Sequence, residues 1–150
     1  MSSMGILRGI AVREASRAPM QEQQQVEVTL AQGIVQDYRG TGLRQVTLLD
    51  AGQWQQVITE IGVDLPWHTR RANLLIEGMA LQTTVGQRLQ IGECVFAIGG
   101  ETTPCPRMDE LQPGLRQTLT PEMRGGVWGK VLRGGQLCVG DNVRVLPWRK

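Results

Sequence analysis

Turn chemistry built on glycine and proline returns about every ten residues along this chain, and that spacing limits it to many short elements, chiefly strands. Val26, Val28 and Leu30 alternate with Glu27 and Thr29, the period of a half-buried strand. Ile6, Ile10 and Val12 give residues 5–14 a looser alternation. Residues 44–49, 74–77, 88–91, 94–98, 127–132, 136–139 and 143–146 read as further strands. Gly92-Glu93 reads as a tight turn. Gly134-Gly135 and Gly140-Asp141 read as hairpin turns, because primed turns need positive φ.

One segment has helical spacing. Asp50 is a good N-cap, and Gln53 three positions on predicts a capping box. Trp54, Val57, Ile58 and Ile61 then form one apolar stripe, which makes Trp54 a core residue and not a ligand platform. Gly62 ends the helix and Pro66 prevents its restart. Residues 104–125 are the longest irregular stretch. Pro104, Pro106, Pro113 and Pro121 leave room there only for short helical turns, and long loops in compact domains tend to be functional. About eight strands and one helix predict a mainly β, β-barrel-like fold with short helical insertions. With neither repeat nor linker, residues 1–150 read as a single domain, long enough to bury one core.

Composition excludes several function classes. No apolar run approaches the roughly 18 residues of a membrane span, so no membrane role is expected. The Met1–Gly5 segment lacks the basic patch and apolar core of a secretory signal, and a cytoplasmic location is expected. Three cysteines without a Cys-x-x-Cys pair make no disulfide framework. A net charge of +2 and only four Trp, one Tyr and one Phe argue against nucleic acid as a partner. The single histidine, His68, rules out a multi-histidine metal site. Neither a P-loop nor a Gly-x-Gly-x-x-Gly fingerprint is present. Of 16 basic residues only Lys130 and Lys150 are lysine. Arginine's planar fork suits carboxylate and phosphate oxygens, although a GC-rich genome produces the same bias.

Three groups can carry chemistry. Cys105 lies between two prolines in Thr102-Thr103-Pro104-Cys105-Pro106-Arg107, and positive charge from a folded-back Arg107 favours a thiolate, which is both nucleophile and soft metal ligand. The plain alternative is a loop thiol without a role. Cys94 and Cys138 sit among strand residues and read as small buried apolar side chains. Arg70 and Arg71, with Asn73 after them, can clamp an anion or can be two solvated arginines before a strand. Beside Arg124, the pair Gly125-Gly126 lets a ligand approach backbone amides, or serves an ordinary turn.

Taken in order, Arg70-Arg71-Ala72-Asn73-Leu74-Leu75-Ile76-Glu77-Gly78, Gln90-Ile91-Gly92, Pro104-Cys105, Arg124-Gly125-Gly126, Gly134-Gly135 and Val139-Gly140-Asp141 resemble the MOSC domain, the C-terminal domain of molybdenum cofactor sulfurases. The resemblance extends upstream through Gly33, Asp37 and residues 44–49 and covers nearly the whole chain. It implies a strand-rich barrel and one functional cysteine, here Cys105, as sulfur carrier or metal ligand. It also implies the pterin molybdenum cofactor, or a sulfurated relative, with Arg39, Arg44, Arg70, Arg71, Arg107 and Arg124 as candidates to neutralise phosphate. Family members transfer sulfur or reduce N-hydroxylated substrates, so a separate desulfurase or a flavin or iron–sulfur reductase is an expected partner. Pyridoxal phosphate is expected only on such a partner, since neither lysine makes a convincing Schiff-base site. The sequence departs from the family at Gln36-Asp37, often Gly-Asp, and at Thr102 and Thr103, where many members carry another polar residue or a cysteine. The alternative is a non-catalytic module that binds or delivers an anionic cofactor. A thiol–disulfide switch is disfavoured because no resolving cysteine lies near Cys105.

Overall fold

A computed structural model describes residues 4–38 and 43–147 of the chain. Seven strands close into a barrel: β1 (Met4–Val12), β5 (Val46–Asp50), β6 (Leu74–Glu77), β7 (Arg88–Ile91), β8 (Cys94–Glu101), β9 (Val127–Arg133) and β11 (Asn142–Leu146). The order around the barrel is β11-β7-β8-β9-β5-β6-β1, and β1 pairs with β11 to close it. One edge of β1 takes β11 over Met4–Ile6 and then the short β2 (Gln21–Gln23) over Ile10–Val12; the other edge takes β6. A smaller sheet of β3 (Gln25–Thr29), β4 (Gly33–Ile34) and β10 (Gly135–Cys138) lies beside the barrel.

The strand periods explain the core. Leu7, Ile10, Leu48, Leu74, Leu89 and Phe96 lose all their exposure in the barrel. Burying each such side chain contributes roughly 1.5–3 kcal/mol before chain entropy is counted. Among the described residues only β5 and β6 run parallel, and a parallel pair needs a crossover. Helix α1 (Ala51–Ile61) supplies it. Its stripe packs a second cluster in which Leu49, Trp54 and Val57 meet Met108, Leu115 and Leu119. Those last three belong to the proline-rich stretch, which forms α2 (Arg107–Leu111), α3 (Leu115–Leu119) and a 3-10 turn at Pro121–Met123. The core role read for Trp54 holds: it is buried, and its indole N–H donates to the Leu65 carbonyl.

Two local expectations change. Gly134-Gly135 and Gly140-Asp141 join no hairpins, because β10 pairs with β3 and not with β9 or β11. The glycines instead let the chain cross between the sheets; a Cβ on Gly134 would collide with the Val28 carbonyl. The capping box does not close either. Asp50 Oδ1 accepts from the Gly52 and Gln53 amides, but the Gln53 side chain donates to the Glu122 carbonyl at 2.9 Å. Gly92-Glu93 does make the β7–β8 hairpin, with Ile91 opposite Cys94. No helix among the described residues is long and apolar enough to cross a membrane.

Candidate functional site

Pro66 opens a 3-10 turn, Trp67–Arg70, that leads into β6. Arg71 caps the turn in the left-handed region, at φ 70° and ψ 25°. That conformation separates two neighbouring arginines. Arg70 goes into the protein and is buried: its Nε donates to the Gly125 carbonyl at 2.9 Å and its Nη2 to the Thr102 carbonyl at 2.8 Å. Arg71 lines a cavity of about 230 Å³ together with Arg13, Met20, Asp37, Arg44, Thr47, Asn73 and Thr102.

The cavity walls are fixed by hydrogen bonds. Asn73 Oδ1 accepts from the Thr47 amide at 3.1 Å and the Thr47 hydroxyl at 3.2 Å. Its Nδ2 donates to the Ala11 carbonyl and to Asp37 Oδ2, each at 3.2 Å. Asp37 Oδ1 accepts the Arg13 amide at 3.0 Å. Asn73 thus uses both its donor and its acceptor to brace three segments of chain. On the far wall, the Arg44 guanidinium lies 5.6 Å from the Trp128 ring centroid, a cation–π contact. Gly99 admits that indole, since a Cβ there would collide with the ring.

The electrostatics are those of an anion site. Burial lowers the pKa of Arg71 below its ordinary value, Arg13 and Arg107 push it the same way, and Asp37 opposes them. Two buried polar atoms of the lining residues, Arg71 Nη2 and Thr102 Oγ1, have no hydrogen-bond partner among the described residues. Such groups cost about 1–3 kcal/mol each when left unpaired. At about 30 Å³ per water, the cavity takes roughly eight waters, the size of a phosphate group with its immediate attachment.

The other candidates lie in different places. Cys105 is exposed and starts the turn into α2, where its carbonyl accepts the Met108 amide at 3.0 Å. It does not line the cavity, but Thr102, three residues before it, does. Arg107 lies on α2 and donates to Glu110 at 3.3 Å, and Glu110 also accepts Arg17 at 2.7 Å. Arg124 faces away from the cavity: it pairs with Glu60 at 3.0 Å and donates to the Thr118 carbonyl at 3.2 Å, joining α1 to α3. Gly125 and Gly126 are approached by protein. A Cβ on Gly125 would sit 2.7 Å from the Thr102 carbonyl, and one on Gly126 would collide with the Leu48 carbonyl. Arg39 lies outside the described residues. Of the other thiols, Cys94 is buried and pushed up to about 11 by burial, then by Glu93 and Asp141. Cys138 is half-buried.

Sequence reasoning had no reason to choose Arg13, Thr47 or Met20 for the cavity, since each is ordinary in its own segment. Asp37 carried a signal only as part of the family resemblance. Thr102 was adjacent to the chosen cysteine and could have been found from that.

The MOSC domain family model matches residues 35–144. Among solved structures, the chain is similar to the YuaD protein of Bacillus subtilis, with a TM-score of 0.81 at 18% identity, covering 97% of each chain. It is similar to YiiM of Escherichia coli, with a TM-score of 0.70 at 12% identity over 97% of this chain and 71% of that one. YiiM of Geobacillus stearothermophilus gives 0.70 at 14% identity over 95% and 75%. At these identities the likeness concerns the fold alone. No curated protein matches the chain.

Proposed function

The chain belongs to the MOSC domain family, which is associated with the molybdenum cofactor, and from that premise we propose that it binds this pterin cofactor by its phosphate end. The carrying observation is the lining of one cavity by Arg13, Arg44 and Arg71 against a single carboxylate among the described residues, Asp37, with unpartnered buried polar atoms on two of its residues, Arg71 Nη2 and Thr102 Oγ1. Arg71 supplies paired donors to phosphate oxygens, Arg13 and Arg44 add charge, and the Thr102 hydroxyl donates one more hydrogen bond. The cavity's size would suit the anionic end of the cofactor. Cys105, exposed a few residues beyond Thr102, is the sulfur carrier or metal ligand; thiolate and molybdenum are both soft. When bound, the cofactor supplies a redox-active metal, and the protein supplies binding and orientation. Sulfur or electrons would come from a separate desulfurase or a flavin or iron–sulfur reductase.

The test is expression in a host that makes the cofactor, followed by assay of metal and pterin. The wild type should carry both, and Cys105→Ser should lose molybdenum while keeping more of the pterin. Background molybdenum in the wild type, unchanged in Cys105→Ser, contradicts the reading. A second reading, binding or delivery without turnover, is favoured by one observation. Among the described residues Asp37 is the one carboxylate lining the cavity, and it is already engaged by the Arg13 amide and Asn73. Steady reduction of an amidoxime by the loaded protein with a flavin reductase excludes that second reading.

A further inference from the structure

We propose that Arg70 is a positioning residue that locks the Cys105 loop in register with the wall of the anion cavity. The inference rests on the reading of Cys105 as the working thiol. The loop leaves the barrel at the end of β8 and returns at the start of β9, an excursion of more than twenty residues. The loop is anchored by Met108, Leu115 and Leu119 against α1 and by the Thr102 amide on the Gly126 carbonyl, but neither contact ties the segment around Cys105 to both ends of the loop at once. Arg70 supplies the link from outside the loop. One guanidinium face reaches the Thr102 carbonyl at 2.8 Å where the loop departs and the Gly125 carbonyl at 2.9 Å where it returns. A third nitrogen, Nη1, lies 3.6 Å from the Met108 sulfur in α2, three residues past the cysteine. The clamp therefore holds both ends of the loop and the helix that follows Cys105.

Three further observations show that this clamp is built and not incidental. Arg70 is only 6% exposed, and no carboxylate among the described residues forms an ion pair with it. Its hydrogen bonds go to two carbonyls and a thioether, and the cost of its burial outweighs the favourable influence of Cys105 and Glu101, so packing alone gives no reason to keep it. Gly125 leaves the space the clamp needs: a Cβ there would lie 2.7 Å from the Thr102 carbonyl and 3.2 Å from Arg70 Nη2. Finally, Thr102 is shared. Its carbonyl is held by Arg70 and the residue also lines the cavity, so one contact sets both the cavity wall and the loop.

Hydrogen exchange on the full-length protein tests this, with or without cofactor. Arg70→Met, which keeps the bulk and loses the donors, should speed exchange of amides 103–112 about tenfold or more, while β1, β5 and β6 stay within about twofold of the wild type. Arg70→Lys keeps the charge but cannot bridge two carbonyls, and should fall between them. If Arg70→Met does not fold, Arg70→Lys carries the test against the wild type. Wild-type exchange over 103–112 in the variants overturns the proposal. So does an equal acceleration of every segment, which is what a merely structural residue gives. Cofactor content does not enter this measurement, so its result is separate from that of the cofactor-binding test.

Discussion

At Arg71, φ 70° places a side-chain-bearing residue in a conformation that costs about 1–3 kcal/mol and is kept where something else depends on it. What depends on it here is the division between Arg70, buried as a clamp, and Arg71, turned to the cavity. Arg71→Gly should therefore leave the unfolding midpoint in urea unchanged or slightly raised, since glycine adopts this φ freely at an entropic cost of about 0.5–1 kcal/mol. A loss of more than about 2 kcal/mol would mean that Arg71 serves the fold and not a ligand. The thiols make a second residue-scale prediction. In a short iodoacetamide pulse at pH 8, Cys105 should label first because it is exposed. Cys94, with its thiol near 11, holds only about one part in a thousand as thiolate at that pH and should label only on unfolding or as the pH climbs towards 11. Equal labelling of all three cysteines at pH 8 contradicts these placements. The sequence marked Arg70, Arg71, Asn73 and Cys105 by type and setting. It could not say which arginine turned inward, because that depends on one backbone angle and on the carbonyls of residues 102 and 125.

Elements meet at the start of β9, where Gly126 lies against β5. Its φ of 97° and the collision of a Cβ with the Leu48 carbonyl predict that Gly126→Ala costs at least about 3 kcal/mol, read by urea unfolding. Gly62→Ala, with φ 76° and open space around it, should cost about 1 kcal/mol. Equal costs would show that only the backbone angle matters and that the β5 contact carries nothing. The same comparison explains why some elements were legible and others were not. Helix α1 had a cap, a stripe and a stop within thirteen residues of sequence, and all three signals are local. The strands had period-two alternation. Gly134-Gly135 and Gly140-Asp141 carry the same local signal as a hairpin, and only the partner strand, more than a hundred residues upstream, decides that they join different sheets. The short β2 and β4 have too few residues to show a period.

On the scale of the molecule, the closed barrel is a rigid frame with its site placed beside it and not inside it. Among the described residues the barrel interior is filled by side chains such as Phe96 and Leu89. The cavity instead gathers residues from the segment after β1, the segment after β4, β5 and its approach, the approach to β6 and the residue after β8. Such an assembly from five places along the chain is invisible to spacing and motif, and for that reason Arg13 and Thr47 emerge only in three dimensions. The central claim is that this arginine-lined cavity holds the phosphate end of a pterin molybdenum cofactor. The most direct measurement is the pterin-to-protein ratio of wild type and Arg71→Gly, purified side by side from a host that makes the cofactor, with urea unfolding confirming that both are folded. The account predicts near-stoichiometric pterin in the wild type and a loss of about tenfold or more in Arg71→Gly, which from a nearly saturated site takes roughly hundredfold weaker binding, about 2.7 kcal/mol of charge-assisted hydrogen bonding. Equal pterin in the two proteins, or none above background in the wild type, contradicts it.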